Sequence, residues 1–262
     1  MIGATIRLRR LFRRESGRAY VVAIDHGMLL GVQPGAEDVL VAVERALASD
    51  PDGLLISPGV LAQAGTLLGY RGAPSVIVRI DYLTTGPDAR LRGDEHRIVC
   101  SPRRAAALGA DAVAMYLNLG TGEASVFADN LAALGRTVEE AHDVGLPLIA
   151  EVVAWGSEAD ERSGADLLTY GARLAAEAGV DLVKTQYTGD VASMERLVGA
   201  CTVPVMVLGG AKTDSSDGLL AATGDALAAG AVGVIYGRNI WQAEDPAGTG
   251  AAVRGVVHAV AG

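Results

Sequence analysis

A short unit recurs along this chain: a helical stretch closes on glycine or a tight turn, often with an aspartate, and four to six apolar residues follow. It reads Asp52-Gly53-Leu54-Leu55-Ile56, then Gly109-Ala110-Asp111-Ala112-Val113-Ala114-Met115. It returns as Gly179-Val180-Asp181-Leu182-Val183 and as Gly230-Ala231-Val232-Gly233-Val234-Ile235. Glycine after a helix supplies the left-handed cap, and an unbroken Val/Ile-rich run suits a strand covered on both faces. Strands of that kind belong to parallel sheets flanked by helices.

Eight such runs occur, at residues 20–25, 53–57, 75–80, 112–118, 148–153, 181–185, 204–208 and 232–236. Ala-rich helical patterns alternate with them, at 36–49, 58–68, 102–108, 123–144, 166–178, 190–200, 216–229 and 246–260. Eight strand–helix units predict an α/β chain folded as a single (β/α)8 TIM barrel over residues 1–262. A doubly wound sheet is the rival, but Asp25-His26-Gly27-Met28-Leu29-Leu30-Gly31 is too irregular for its glycine fingerprint. No Pro-, Ser- or charge-rich linker interrupts the series. Residues 1–18 are expected to form a short N-terminal helical extension, with Ile6, Leu8, Leu11 and Phe12 packing and the arginines facing solvent. Residues 81–99, rich in Arg, Asp and Gly, form the longest excursion and are placed to cover the barrel mouth.

Composition narrows the partners. A net charge of −9 argues against nucleic acid, and no run approaches the ~18 apolar residues of a membrane span. Arg7, Arg9, Arg10, Arg13 and Arg14 break up any leader-like apolar segment. Cys100 and Cys201 have neither metal-ligand spacing nor the number for a disulfide framework, which fits a reducing cytoplasm. His26, His96, His142 and His258 make no zinc-type pattern, so no metal is expected. His142 and His258 lie on helical stretches and read as structural, while His96 is unassigned. The Ala-rich outer helices suit close packing between copies, and a homo-oligomer is expected.

Only two of the 22 basic residues are lysines, Lys184 and Lys212, and each sits where an apolar run gives way to a loop. Lysine is normally solvated, so an amine at a buried strand end suggests amine chemistry: desolvation favours the free base, which attacks a carbonyl. The alternative is a compositional bias that depletes lysine everywhere. Catalytic groups of such barrels come from the carboxyl ends of strands. Those ends offer Asp25 and His26, Arg79 and Asp81, Tyr116 and Asn118, Glu151, Lys184, Gly209 and Gly210, then Gly237 and Arg238. The two glycine loops follow the seventh and eighth runs, where barrels commonly hold phosphate on backbone N–H groups. Asp25 either handles a proton or caps its loop.

Residues 20–242 resemble the archaeal-type class I fructose-bisphosphate aldolases and their deoxyribose-phosphate-aldolase-like relatives. Four segments carry the resemblance in order: Ala23-Ile24-Asp25-His26-Gly27, Gly179-Val180-Asp181-Leu182-Val183-Lys184-Thr185, Pro204-Val205-Met206-Val207-Leu208-Gly209-Gly210 and Gly237-Arg238-Asn239-Ile240-Trp241-Gln242. The resemblance implies a metal-independent aldolase with Lys184 as Schiff-base lysine and no cofactor beyond that imine. Asp25 would handle protons, and Tyr116 is a further catalytic candidate. His26, Asn118, Gly209, Gly210, Lys212, Gly237 and Arg238 would bind a small phosphorylated carbonyl substrate. Lys212 would touch phosphate or repel the Lys184 charge; a plain surface lysine is the alternative.

One departure stands out. Where these enzymes often carry a catalytic tyrosine, this chain reads Glu151-Val152-Val153-Ala154-Trp155-Gly156, with Val153 at the tyrosine position. Valine moves no proton. Glu151 is the favoured substitute and Tyr116 the second, unless Glu151 simply pairs with Arg79. The lost tyrosine keeps open a transaldolase-, acyl-transfer- or isomerase-type outcome of the same iminium, and a non-catalytic sugar-phosphate-binding barrel is the remaining alternative.

Overall fold

The computed structural model describes residues 2–84, 91, 93–158, 164–210 and 216–259. Its strands in chain order are β1 (Ala19–Ala23), β2 (Gly53–Ile56), β3 (Ser75–Arg79), β4 (Asp81–Leu83), β5 (His96–Ile98), β6 (Ala112–Asn118), β7 (Leu148–Val153), β8 (Leu182–Gln186), β9 (Val205–Leu208) and β10 (Gly233–Tyr236). All but β4 and β5 pair in parallel and close into a barrel ordered β1-β10-β9-β8-β7-β6-β3-β2. β4 and β5 make a small antiparallel hairpin in the excursion after β3. With helices between the strands, this is the expected (β/α)8 barrel.

The recurring aspartate has a clear task. Each one accepts a backbone N–H from one of the first two residues of the strand beside it: Asp52 from Tyr20 at 2.7 Å, Asp111 from Val76 at 3.0 Å and Asp181 from Leu148 at 2.8 Å. Those donors lie at the start of a strand, where the ladder has no carbonyl for them, and the carboxylate satisfies them.

The helices begin where side chains can cap them. Asp38 accepts from Leu40 N before α3 (Val39–Ala48), and Ser101 accepts from Arg104 N before Pro102 opens its helix. Asp190 and Asp245 do the same for Ser193 N and Gly248 N. Each leaves one fewer orphan donor at a helix start, worth about 1 kcal/mol.

Strand side chains alternate between two packed layers. Those facing outward, among them Tyr20, Val22, Leu54, Val78, Met115 and Val183, pack under the helices. Those facing inward fill the lower barrel: Val21, Leu55, Ile77, Ala114, Ile149, Leu182, Met206 and Ile235. The N-terminal helix, α1 (Ile2–Leu11), closes that lower end, with Leu11 buried and Leu8 and Phe12 partly buried against the same cluster. Ile6 does not join them. It is 46% exposed, because the helix turns about 200° over two residues and puts positions 6 and 8 on opposite faces; the buried stripe is Ala4, Leu8, Leu11 and Phe12. No described helix is long and apolar enough to cross a membrane.

Candidate active site

Above the apolar floor the inward positions turn polar. Register aligns Tyr116 on β6 with Glu151 on β7, and Glu151 with Lys184 on β8, so the three form one row. They line a cavity of about 420 Å³ at the carboxyl ends of the strands, together with Asp25, His26, Gln186 and Arg238. Lys184 is only 5% exposed, and its Nζ lies 2.8 Å from Glu151 Oε2. Among the described residues no three of His, Cys, Asp and Glu converge as metal ligands would.

Arg79 at the end of β3 organises this row. Its Nε donates to Asp25 Oδ2 at 2.9 Å, its Nη2 donates to Glu151 Oε2, and its Nη1 lies 3.5 Å from Asp81 Oδ1. The guanidinium carbon sits 3.8 Å below the centre of the Tyr116 ring, and the side chain is 1% exposed. A rigid planar fork suits a site that must hold several carboxylates in fixed directions. Burial works to raise the Asp25 carboxyl, but the Arg79, Lys184 and His26 charges and the Arg79 hydrogen bond outweigh it and hold it below the ordinary value. For Tyr116 burial wins: it pushes the phenol well above its usual value against the pull of Arg79. The site therefore presents a firm anion at position 25 and a firmly protonated phenol at position 116.

The other wall is glycine-rich. Gly210 has φ +64°, a left-handed backbone, and a Cβ at Gly209 would stand 2.8 Å from the Tyr236 ring. A Cβ at Gly237 would overlap the His26 imidazole. Arg238 donates to Gly210 O at 3.3 Å and so bridges the two loops. Its Nε, like His26 Nδ1, is buried with no hydrogen-bond partner among the described residues. The His26 ring packs edge-on to Trp241 at 5.8 Å, and burial, opposed by Asp25, lowers its pKa. Unpartnered donors beside exposed backbone suit an anionic group.

Of the candidates read from sequence, Asp25, His26, Tyr116, Glu151, Lys184, Gly209, Gly210, Gly237 and Arg238 all line this cavity. Asn118 does not. Its Oδ1 accepts from Gly120 N at 3.2 Å and Trp155 N at 2.9 Å, tying together the loops after β6 and β7. Lys212 lies outside the described residues. Arg79 and Asp81, also at a strand end, do not line the cavity; Asp81 accepts from Tyr116 N at 2.7 Å and pairs with His96 Nε2 at 2.9 Å. Both readings of Glu151 meet in one place, since it pairs with Arg79 and with Lys184. Gln186 was missed, although it sits two residues after Lys184 on the same strand face.

The described part of the excursion is fastened over the mouth by Asp94. Its carboxylate accepts from Gly122 N and Ser157 N, both at 2.8 Å, and from Ser157 Oγ.

Known proteins agree with this geometry. The chain is 35% identical to an uncharacterized aldolase of Saccharolobus solfataricus, over 98% of this chain and 95% of that one. It is 33% identical to the 2-amino-3,7-dideoxy-D-threo-hept-6-ulosonate synthase of Halobacterium salinarum, over 98% and 92%. Among solved structures, an archaeal fructose-1,6-bisphosphate aldolase with its catalytic Lys covalently bound to the carbinolamine intermediate superposes with TM-score 0.83 at 27% identity, covering 97% of this chain and 99% of that one. A family model described as DeoC/LacD family aldolase matches residues 19–243, from the first barrel strand to just past the Arg238 loop. With a buried lysine on the sixth strand of such a barrel, the chain belongs to the DeoC/LacD family of aldolases.

Proposed function

We propose that this protein is a Schiff-base aldolase that makes or breaks a carbon–carbon bond in a small phosphorylated ketose or aldehyde, with Lys184 as nucleophile. The observation that carries the reading is the Lys184 amine, enclosed in the cavity 2.8 Å from the Glu151 carboxylate. The relatives point the same way, since they include a Schiff-base aldolase and a synthase.

The chemistry follows from the row of side chains. Glu151 takes a proton from Nζ, and the free amine adds to the substrate carbonyl to give a carbinolamine. Glu151 returns that proton to the carbinolamine hydroxyl, which leaves as water, and the C–N pair becomes an iminium. The carboxylate then takes a proton from the adjacent carbon, leaving an enamine. The enamine carbon bonds to the acceptor carbonyl carbon, whose π pair becomes an alkoxide and takes the Tyr116 phenol proton. Glu151 reprotonates the phenolate, and water hydrolyses the iminium to free product and lysine. Asp25, ionised beside the amine, stabilises the iminium charge. Gly209, Gly210, Gly237 and Arg238 hold the phosphate, with His26 against them.

Val153 favours a second outcome of the same iminium. It is fully buried at the position where the resemblance implies a tyrosine, which suits transfer of the bound unit to another carbonyl. Product analysis with a panel of acceptor aldehydes separates the two. The imine itself is tested by borohydride trapping with dihydroxyacetone phosphate and fructose 1,6-bisphosphate, read by intact and peptide mass spectrometry. An adduct on Lys184 that vanishes in Lys184→Met is expected. No adduct with any reactive carbonyl substrate refutes the reading.

A further inference from the structure

The two sides of Lys184 differ in chemistry. Toward β9 and β10 stand the glycine loops and Arg238; toward β6 and β7 the cavity is lined by Tyr116, Trp155 and Leu29, with Val153 packed behind them. Val153, Tyr116, Leu83 and Leu208 form one buried apolar cluster, against which Leu29 and Trp155 pack, and the Trp155 and Tyr116 rings meet at 5.6 Å. Among the described residues this side has no second anion clamp. Its nearest cation, Arg79, lies beneath the Tyr116 ring and is bonded to Asp25 and Glu151.

We propose that the β6–β7 side of the cavity receives the apolar end of the carbonyl acceptor, so that the acceptor is an unphosphorylated aliphatic or aromatic aldehyde. The inference rests on the lysine-imine reading and adds a substrate class to it. A phosphorylated or polyhydroxylated acceptor would lose its water against Leu29, Trp155 and Leu208 and find no anion clamp among the described residues in exchange. An alkyl or aryl group gains from the same contacts, about fourfold in affinity or kcat/KM for each methylene buried. The donor phosphate lies on the opposite side, so the bond-forming carbons meet above the Lys184–Glu151 row.

Two measurements separate this proposal from the imine it builds on. In the first, dihydroxyacetone phosphate is the donor, and wild-type kcat/KM is compared for propanal, butanal, pentanal and glyceraldehyde 3-phosphate. A rise of about fourfold per methylene, with glyceraldehyde 3-phosphate slowest, is expected. A flat series, or a preference for glyceraldehyde 3-phosphate, overturns the proposal. The second measurement needs no imine. Quenching of Trp155 fluorescence by 1-propanol, 1-butanol and 1-pentanol is compared with glycerol and erythritol, in wild type and in Lys184→Met, with Trp155→Phe locating the signal. Tighter binding along the alcohol series and weaker binding of the polyols support the apolar wall in both proteins. Equal affinities refute the wall even if borohydride still traps Lys184; failure of trapping with the alcohol trend intact refutes the imine alone.

Discussion

Replacing Arg79 by methionine removes the one cation that reaches Asp25, Glu151 and Asp81 together, from a position 1% exposed. Methionine fills similar space but answers none of these carboxylates. Stripping one partner from a buried ion pair costs about 3–5 kcal/mol, because the remaining charge stays desolvated. Loss of the contact with the Tyr116 ring adds about 1 kcal/mol. Against a typical stability of about 5–15 kcal/mol the variant is expected to fold but to melt roughly 8–24 °C lower. The penalty is an uncompensated negative charge, so it must depend on pH. In wild type the Asp25 carboxyl titrates below its unfolded value. Its contribution is therefore complete above the unfolded carboxylate value and lost as pH falls through the lower folded one. Without Arg79 the largest opposing charge is gone, burial dominates, and the same carboxyl titrates above its unfolded value. The variant then binds protons that wild type does not, and the stability gap narrows as pH is lowered from about 7.5 to 5. Urea unfolding across that range measures the gap, and Arg79→Lys, which restores charge without the planar fork, is expected between the two. A loss under about 1 kcal/mol, or a gap that does not change with pH, refutes the assignment of Arg79 as organiser of the row.

Other outcomes follow from the same geometry. Tyr116→Phe keeps the ring over Arg79 and removes only the phenol proton, so turnover should fall roughly 10²- to 10⁴-fold while borohydride trapping at Lys184 persists; unchanged turnover assigns the proton step elsewhere. Gly237→Ala drives a methyl into the His26 ring and should cost about 1–3 kcal/mol and raise KM for a phosphorylated donor more than it lowers kcat. A proportional fall in kcat instead separates that loop from phosphate binding. Asp94→Ala releases the Gly122 and Ser157 amides and should lower stability by about 2–3 kcal/mol at neutral pH. Burial would raise the Asp94 carboxyl, but its hydrogen bonds from Ser157, Gly122 and Thr121 hold it below its usual value. Its contribution is thus full above the unfolded carboxylate value and fades as pH drops through the lower folded one; urea midpoints at neutral and acid pH check both parts.

The barrel was legible because a parallel strand covered on both faces needs an unbroken apolar run, which few other structures demand. The β4–β5 hairpin was not, since three-residue strands paired across a long excursion leave no alternation to read. Parity along a strand correctly faces Tyr116 inward, yet it fails two residues later at Asn118, the last residue of β6, whose side chain serves the loops. Lys184 stood out by scarcity alone. Arg79 was readable only as a partner for Glu151; its bond to Asp25, 54 residues away, is a relation that closure of the barrel creates.

The stopper at the lower end has a kinetic consequence. With Leu8, Leu11 and Phe12 set into the base of the barrel, whatever reaches Lys184 arrives and departs at the carboxyl ends of the strands. A donor and an acceptor standing on either side of the lysine must share that way in, so neither can pass while the other fills the entrance.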